Sequence, residues 1–288
     1  MTRNFLAGFA YLLLAPVIGA LLAGIDRRIT ARMQGRRGPP ILQPVYDLLK
    51  LAHKEPIGAR RTGHFFVLGH LVFMMAAGFE FFFGGDLLIV IFAFALSSIF
   101  LVLGAYAAHS PFSHIGAERE LLQMMAAEPI LLLTAMGFYI ANGSFRVEEI
   151  SASPTPALLW LPGIFAALAF ILTIKLRKSP FDLATSHHAH QEIVKGLTTE
   201  FSGLSLAIIE VTHWYETIML LGIFYLFLAP YPAAAVLLVA VVYLLEILLD
   251  NTSARMKWQW AMKSSWTTAS LLGAINLIVI YYWLGVQP

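Results

Sequence analysis

Three carboxylates, Glu128, Glu210 and Glu216, stand inside long apolar stretches of the sequence. An ionisable side chain at the depth of a lipid bilayer usually faces a protein interior or a water-filled path. Glu128 is the strongest candidate, because Pro129 follows it, removes a backbone donor and leaves room for water. A carboxylate removed from water favours its neutral form. We therefore predict that Glu128 takes up and releases a proton; the alternative is a neutral glutamate that packs helices together.

A second group of titratable side chains runs from a polar segment into the apolar stretch that follows it. Glu210 and His213 share a helix face at a spacing of three residues, and Glu216 follows them. Three more carboxylates precede them, Asp182, Glu192 and Glu200. These residues are predicted to form a chain of proton acceptors. Two other carboxylates, Glu80 and Glu246, are expected to be structural, with side chains that reach water near helix ends.

Three histidines in the same polar segment, His187, His188 and His190, are candidate metal ligands. His188 and Glu192 would share a helix face. Neighbouring histidines point to different faces, however, and no second histidine pair follows at ligand spacing. We therefore favour a hydrogen-bonded polar cluster or a proton relay, to which Glu216 would also belong, over a metal site.

Composition shows which elements position these groups. Of 288 residues, 59% are hydrophobic and 12% charged, whereas soluble domains carry about 25% charged residues. The mean hydropathy is +0.75. Since a membrane-spanning helix needs about 20 apolar residues, the sequence predicts an all-α integral membrane protein of about eight transmembrane helices. Their cores are 5–25, 64–83, 87–108, 121–141, 157–174, 204–228, 234–249 and 266–284.

The basic residues predict the orientation of these helices. Of 19 Lys and Arg residues, 17 fall in the odd-numbered loops, and positively charged loops stay cytoplasmic. Both termini are therefore expected outside the cytoplasmic (inner) membrane. The two longest cytoplasmic loops are 26–63 and 175–203. Apolar residues at helical spacing after Pro40 predict an interfacial amphipathic helix in the first of them.

The remaining composition limits cofactors and domain organisation. The chain has no cysteine, so it cannot ligate an iron–sulfur cluster through thiolates or form a disulfide. The first segment is as long as a full span and its basic residues follow it, so we expect a retained helix rather than a cleaved signal peptide. No internal repeat or linker stands out, which predicts one membrane domain over 1–288.

Four ordered motifs resemble one family across nearly the whole chain. The first is DRRITARMQGRRGP at 26–39, the second is GAER at 116–119 with Glu128 beyond it, the third is SPFD at 179–182 continued by EIVKG and TEFSG, and the fourth is LDNTSARM at 249–256. Together they resemble the eight-helix, quinone-proximal membrane subunit of respiratory complex I and of related hydrogenases. The fourth motif and the histidines of 185–192 are similar to the hydrogenase branch, found in formate hydrogenlyase and Ech-type enzymes.

The resemblance implies a membrane anchor and coupling subunit of an energy-converting [NiFe] hydrogenase. Such a subunit contains no catalytic centre of its own within the oxidoreductase complex. The resemblance also implies a [NiFe] centre and [4Fe-4S] clusters in partner subunits. These partners are the hydrogenase large and small subunits and an iron–sulfur subunit. An antiporter-like membrane subunit is a further implied partner, with ferredoxin as electron carrier and proton or sodium as coupling ion. The chain is expected to contact the lipid bilayer and to have no nucleic-acid partner.

The resemblance also assigns roles to single positions. Glu128, Glu192 and Glu200 match proton-path carboxylates, and Asp182 matches a loop aspartate. His213 stands where complex I has a glutamate, with Glu210 one turn earlier, so the relay there runs through either residue. The arginines match segments that face the peripheral arm and imply docking of partners: Arg32, Arg36, Arg37 and Arg119.

Two rival functions fit parts of the sequence. One is the quinone-site subunit of a complex I-like NADH dehydrogenase, which would need a narrow apolar tunnel beneath the first loop. The other is a stand-alone secondary transporter, a class that often shows two related halves with broken helices. No such halves are visible in the sequence.

Overall fold

A computed structural model describes residues 2–55, 61–181, 196–254 and 256–285. The described chain is helical and contains no named strand, which confirms the all-α prediction. The α-helices, in chain order, are α1 Thr2–Met33, α2 Gln43–Ala52, α3 Arg61–Phe83, α4 Leu87–Tyr106, α5 Pro111–Asn142, α6 Val147–Ala152, α7 Pro162–Lys175, α8 Gly196–Thr199, α9 Gly203–Leu226, α10 Pro232–Thr252, α11 Trp258–Thr268 and α12 Ile275–Gly285.

Seven described helices are long and apolar enough to cross a membrane, and α7 is a shorter apolar helix. Together they give the predicted count of about eight. α7 has 14 residues, or about 21 Å at 1.5 Å per residue, which is shorter than a hydrocarbon core of roughly 30 Å. The last span is built from α11, a π-helical segment at Ala269–Ala274, and α12.

Several boundaries differ from the sequence prediction. α1 continues to Met33, so the predicted first loop begins as helix. α5 begins at Pro111, ten residues before the predicted core of that span. The helix predicted in the first loop is confirmed as α2. Gly84-Gly85 and Pro230 are typical turn residues, and the chain turns there, between α3 and α4 and between α9 and α10.

The short helix α7 is closed at both ends by specific hydrogen bonds. At its start, Asn276 Oδ1 accepts hydrogen bonds from the backbone N–H groups of Gly163 (3.0 Å) and Ile164 (3.1 Å). At its end, Arg177 N–H donates to the Ile174 carbonyl and Lys178 N–H donates to the Thr173 carbonyl, both at 3.0 Å. This pattern is a Schellman motif. It fixes where the chain turns after α7.

Two tyrosines bind α1 to α9 reciprocally. The Tyr11 hydroxyl donates to the Tyr215 carbonyl at 3.0 Å, and the Tyr215 hydroxyl donates to the Leu12 carbonyl at 2.6 Å. Each tyrosine thus satisfies its polar end on the backbone of the other helix, as a buried phenol requires. The contact fixes the position of α1 along α9.

Replacing Asn276 with leucine is expected to lower the free energy of unfolding by about 1–3 kcal/mol, because two N–H groups at the start of α7 lose their acceptor. Thermal unfolding of the detergent-solubilised protein measures this. Asn276→Asp keeps the acceptor oxygen and places negative charge at a helix N-terminus, which is favourable, but it loses the hydrogen bond of 3.2 Å that Nδ2 donates to the Trp160 carbonyl. It should therefore be destabilised less than Asn276→Leu, and equal stability of Asn276→Leu and the wild type would contradict the assignment.

Candidate functional site

A network of charged side chains lies inside the bundle where α5, α9 and the turn after α7 meet. Arg177 Nη2 lies 2.9 Å from Glu120 Oε1, and Arg177 Nη1 lies 2.6 Å from His213 Nε2. His213 Nδ1 lies 3.2 Å from Glu216 Oε2. We call Glu120, Arg177, His213 and Glu216 the Arg177 network. Only 7% of Glu120 and 8% of Glu216 is exposed, so these charges are largely removed from solvent.

The backbone at Arg177 brings its side chain into the bundle. Arg177 has φ = 54°, the left-handed conformation that usually favours glycine at the end of a helix. A non-glycine residue there costs roughly 1–2 kcal/mol. The strained conformation is held by the Schellman hydrogen bonds below it and by the two contacts of the guanidinium, which makes the position a candidate functional one.

The hydrogen bonds define the protonation of His213. A guanidinium only donates, so Nε2 of His213 must accept the hydrogen bond from Arg177. The proton of the neutral ring then lies on Nδ1, which donates to Glu216.

A second buried histidine lies beside the network. The ring centroids of His70, on α3, and His213 are 6.1 Å apart. The Ser97 hydroxyl donates to the His70 carbonyl at 2.7 Å, so Nδ1 of His70 is the donor toward Ser97 Oγ at 2.8 Å. Nε2 of His70 is then a proton acceptor, and it has no hydrogen-bond partner among the described residues.

Electrostatics keep Arg177 charged. Burial by itself would lower the pKa of the Arg177 guanidinium, but the nearby Glu120 and Glu216 carboxylates outweigh burial and raise this pKa above its ordinary value. Glu210, half-buried and one turn before His213, adds to the same effect. The network therefore holds a permanent cation surrounded by groups that can exchange protons.

Glu128 lies apart from the Arg177 network. It is half-buried and stands eight residues beyond Glu120 on α5, about 12 Å along the helix axis at 1.5 Å per residue. The helix is continuous through Pro129. On the preceding turn, the Ser265 hydroxyl donates to the Ala126 carbonyl at 2.5 Å and joins the last span to α5.

The other predicted acceptors are divided between described and undescribed residues. Glu200 is half-buried just after α8. His213 and Glu216 enter the Arg177 network. Five predicted residues lie outside the described residues: Asp182, His187, His188, His190 and Glu192. Within the described ranges, no group of three or more His, Asp or Glu side chains is arranged to hold a metal ion.

The predicted docking arginines lie mostly at the surface. Arg32, Arg36 and Arg37 are exposed, and Arg119 is half-buried. Beside them α2 is tied to α1 by a contact of 2.7 Å between Arg27 Nη1 and Asp47 Oδ2.

The pKa of Asp47 reflects this tie. Partial burial would raise the pKa of the Asp47 carboxyl, but hydrogen bonds from Arg27 and Gln43 and the charge of Arg27 lower it below its ordinary value. A carboxyl whose pKa is lower in the folded than in the unfolded state stabilises the protein at pH values above the unfolded-state pKa. This stabilisation is lost as the pH falls through the folded-state pKa. Because both side chains are well exposed, the effect is small.

Sequence reasoning missed three members of this site: Glu120, Arg177 and His70. Glu120 fell outside the predicted span because the start of α5 was placed too late. The signal was Ser110-Pro111, since serine before proline is typical of a helix start. The expectation that Glu246 reaches water is wrong, because only 2% of it is exposed.

Fold and site together define a polytopic helical membrane protein with an ion-paired network inside its bundle. Comparison with known sequences gives the family. The sequence pattern of the family described as NADH dehydrogenase matches residues 6–281. The chain belongs to this family.

Relatives come from two kinds of complex. The chain is 32% identical to hydrogenase-4 component C of Escherichia coli (strain K12), over 87% of this chain and 88% of that protein. It is 27% identical to formate hydrogenlyase subunit 4 of the same organism, over 86% and 90%. It is 31% identical to a subunit of the NADH-quinone oxidoreductase of Cereibacter sphaeroides (strain ATCC 17029 / ATH 2.4.9), over 99% of each chain.

A solved structure shares the fold. A chain of the membrane-bound sulfane sulfur reductase, described as an archaeal respiratory membrane complex, superposes with a TM-score of 0.84 and covers 96% of this chain and 99% of that one at 24% identity. The helical arrangement of this chain is therefore the fold of that chain.

Proposed function

We propose that this chain is the membrane anchor and coupling subunit of a multisubunit energy-converting [NiFe] hydrogenase. Electron transfer between ferredoxin and hydrogen takes place in partner subunits, and this chain converts it into proton movement. The similarity to hydrogenase-4 component C and to formate hydrogenlyase subunit 4 supports the hydrogenase branch. The membrane is the cytoplasmic membrane, with both termini outside, as the basic loops predict.

The observation that carries this proposal is the contact of 2.6 Å between Arg177 and His213. It places a fixed cation on the one ring nitrogen that can accept a proton. Buried ion pairs are costly to desolvate and are weak evidence for stability. In a membrane they more often mark a proton or ion pathway.

In the proposed step, the turn after α7 moves Arg177 away from His213. Nε2 of His213 then becomes free to accept a proton, and the positive ring is stabilised by Glu216. Glu200 and Glu210 supply protons from the cytoplasmic side. His70 and Glu128 accept these protons within the membrane. There His70 offers a buried ring nitrogen that has no hydrogen-bond partner among the described residues.

We expect docking of partner subunits on the exposed arginines to cause this movement of the turn after α7. Arg32, Arg36 and Arg37 form a basic surface at the end of α1, suited to docking of the hydrogenase large and small subunits and the iron–sulfur subunit. The [NiFe] centre and the [4Fe-4S] clusters belong to those subunits. An antiporter-like membrane subunit would continue the ion path, and sodium remains a candidate coupling ion there.

Purification of the tagged chain from native membranes tests the assignment. We expect hydrogenase large and small subunits, an iron–sulfur subunit and an antiporter-like subunit to co-purify. The same membranes, as inverted vesicles, should acidify their lumen when reduced ferredoxin is supplied. If the chain purified alone and moved a solute in liposomes, the subunit assignment would fail.

A second candidate is the quinone-site subunit of a complex I-like dehydrogenase. One observation favours it, a largely apolar cavity of about 880 Å³ bounded by α1, α3, α6, α9 and α10, with Ile25, Phe82 and Leu244 among its lining residues. Its lining residues lie outside the first loop, beneath which a quinone tunnel is expected. Co-purification of quinone reductase subunits in place of hydrogenase subunits would establish this candidate.

A further inference from the structure

The turn after α7 sends two adjacent cations to opposite sides. Arg177 points to Glu120 and His213. Lys178 points to the other side, where its Nζ lies 2.8 Å from Asp26 Oδ2 of α1 and 5.3 Å from the centroid of the Tyr243 ring of α10. Lys178 is 7% exposed, so this cation is also buried.

A second carboxylate lies within the electrostatic reach of Lys178. Glu246, one turn after Tyr243 on α10, is 2% exposed. Its side chain lies near Thr173 of α7 and interacts with the charge of Lys178. Its Oε2 atom has no hydrogen-bond partner among the described residues. A carboxyl oxygen buried without a partner is either protonated or gains a hydrogen-bond donor in another state of the protein.

The charges do not balance when both carboxylates are ionised. Lys178 is a single cation facing Asp26 and Glu246, while Asp250, the next acidic group on α10, accepts a hydrogen bond of 2.8 Å from the Ser179 N–H. The groups that face Glu246 are thus Lys178 of the turn, Tyr243 and Asp250 of its own helix, and Asp26 of α1 through Lys178. With Lys178 held by Asp26, the neutral form of Glu246 is favoured.

We propose that Glu246 is a proton-binding site and that Lys178 is its alternative counter-ion, shared with Asp26. When Glu246 is protonated, Lys178 pairs with Asp26, the arrangement that the structure shows. When Glu246 loses its proton, Lys178 moves to Glu246 and releases Asp26, which lies on α1 about two turns before the helix ends at Met33. This site lies on the other side of the turn from the Arg177 network and goes beyond the proposed function, since proton binding at Glu246 is independent of which redox partner is bound.

Infrared difference spectroscopy of the intact complex, recorded between high and low pH, tests the proposal. A protonated carboxylic acid gives a carbonyl stretch at a higher frequency than the bands of a carboxylate or an amide. We expect this band to be reduced in Glu246→Gln and unchanged in Glu80→Gln, a matched control at the far end of α3. An undiminished band in Glu246→Gln would overturn the proposal.

A second variant keeps Glu246 itself intact. Lys178→Met removes the counter-ion, so the pH at which the Glu246 band disappears should rise by about one unit or more. This measurement also decides the matter if Glu246→Gln fails to assemble. An unshifted titration in Lys178→Met would show that Lys178 does not serve Glu246.

Discussion

Replacing Arg177 with glutamine should prevent coupling and destabilise the membrane domain by about 3–5 kcal/mol, because it leaves the buried Glu120 carboxylate without its cation. His213 would also lose the donor that occupies Nε2. We expect little assembled complex at growth temperature and, in what remains, hydrogen evolution without acidification of inverted vesicles. Native gel electrophoresis and a vesicle proton-uptake assay measure the two effects separately.

Matched variants separate the charge of Arg177 from its geometry and from its pairing with Glu120. Arg177→Lys keeps a cation, so the complex should assemble. Lysine has no planar fork to contact two partners at once, so coupling should be poor. Arg177→Gln combined with Glu120→Gln removes both charges of the pair, which is often nearly neutral. The double variant should therefore assemble better than Arg177→Gln alone. If it assembled no better, the ion pair between Arg177 and Glu120 would not be the source of the effect.

Replacing Glu128 with glutamine should leave assembly intact and abolish proton movement. The side chains are nearly equal in size, so packing is preserved, while glutamine cannot bind and release a proton. Loss of a positioned proton-transfer group slows that transfer by about a hundredfold or more. Acidification of inverted vesicles per hydrogen evolved is the measurement.

The control for Glu128→Gln is Glu149→Gln, an exposed glutamate of α6 that makes the same chemical change outside the apolar segments. It should couple like the wild type. Wild-type proton movement in Glu128→Gln would remove Glu128 from the path and leave the Arg177 network as the remaining route across the membrane.

The transmembrane helices could be predicted from the sequence because the signal is long and local. About 20 apolar residues per span and tight turns at glycine or proline are visible in the residues themselves. The spacing of Val45 and Leu48 also predicted α2. Helix ends were less certain, and the late start assigned to α5 placed Glu120 outside the membrane.

The site could be predicted only in part. Depth in an apolar stretch singled out Glu216 and His213, and both lie in the Arg177 network. The role of Arg177 depends on a left-handed backbone conformation and on three segments distant in sequence, which no local pattern encodes. Lys178 and Glu246 are likewise brought together only by the packing of the turn after α7 against α10.

The reciprocal hydrogen bonds of Tyr11 and Tyr215 hold α1 and α9 together. Tyr215 lies between His213 and Glu216 in sequence, so we expect a displacement of α9 at these residues to move α1 as well. The far end of α1 carries the exposed arginines. Under the proposed function, a change of protonation near His213 would therefore shift the surface on which the redox subunits dock, and their docking would in turn act on His213.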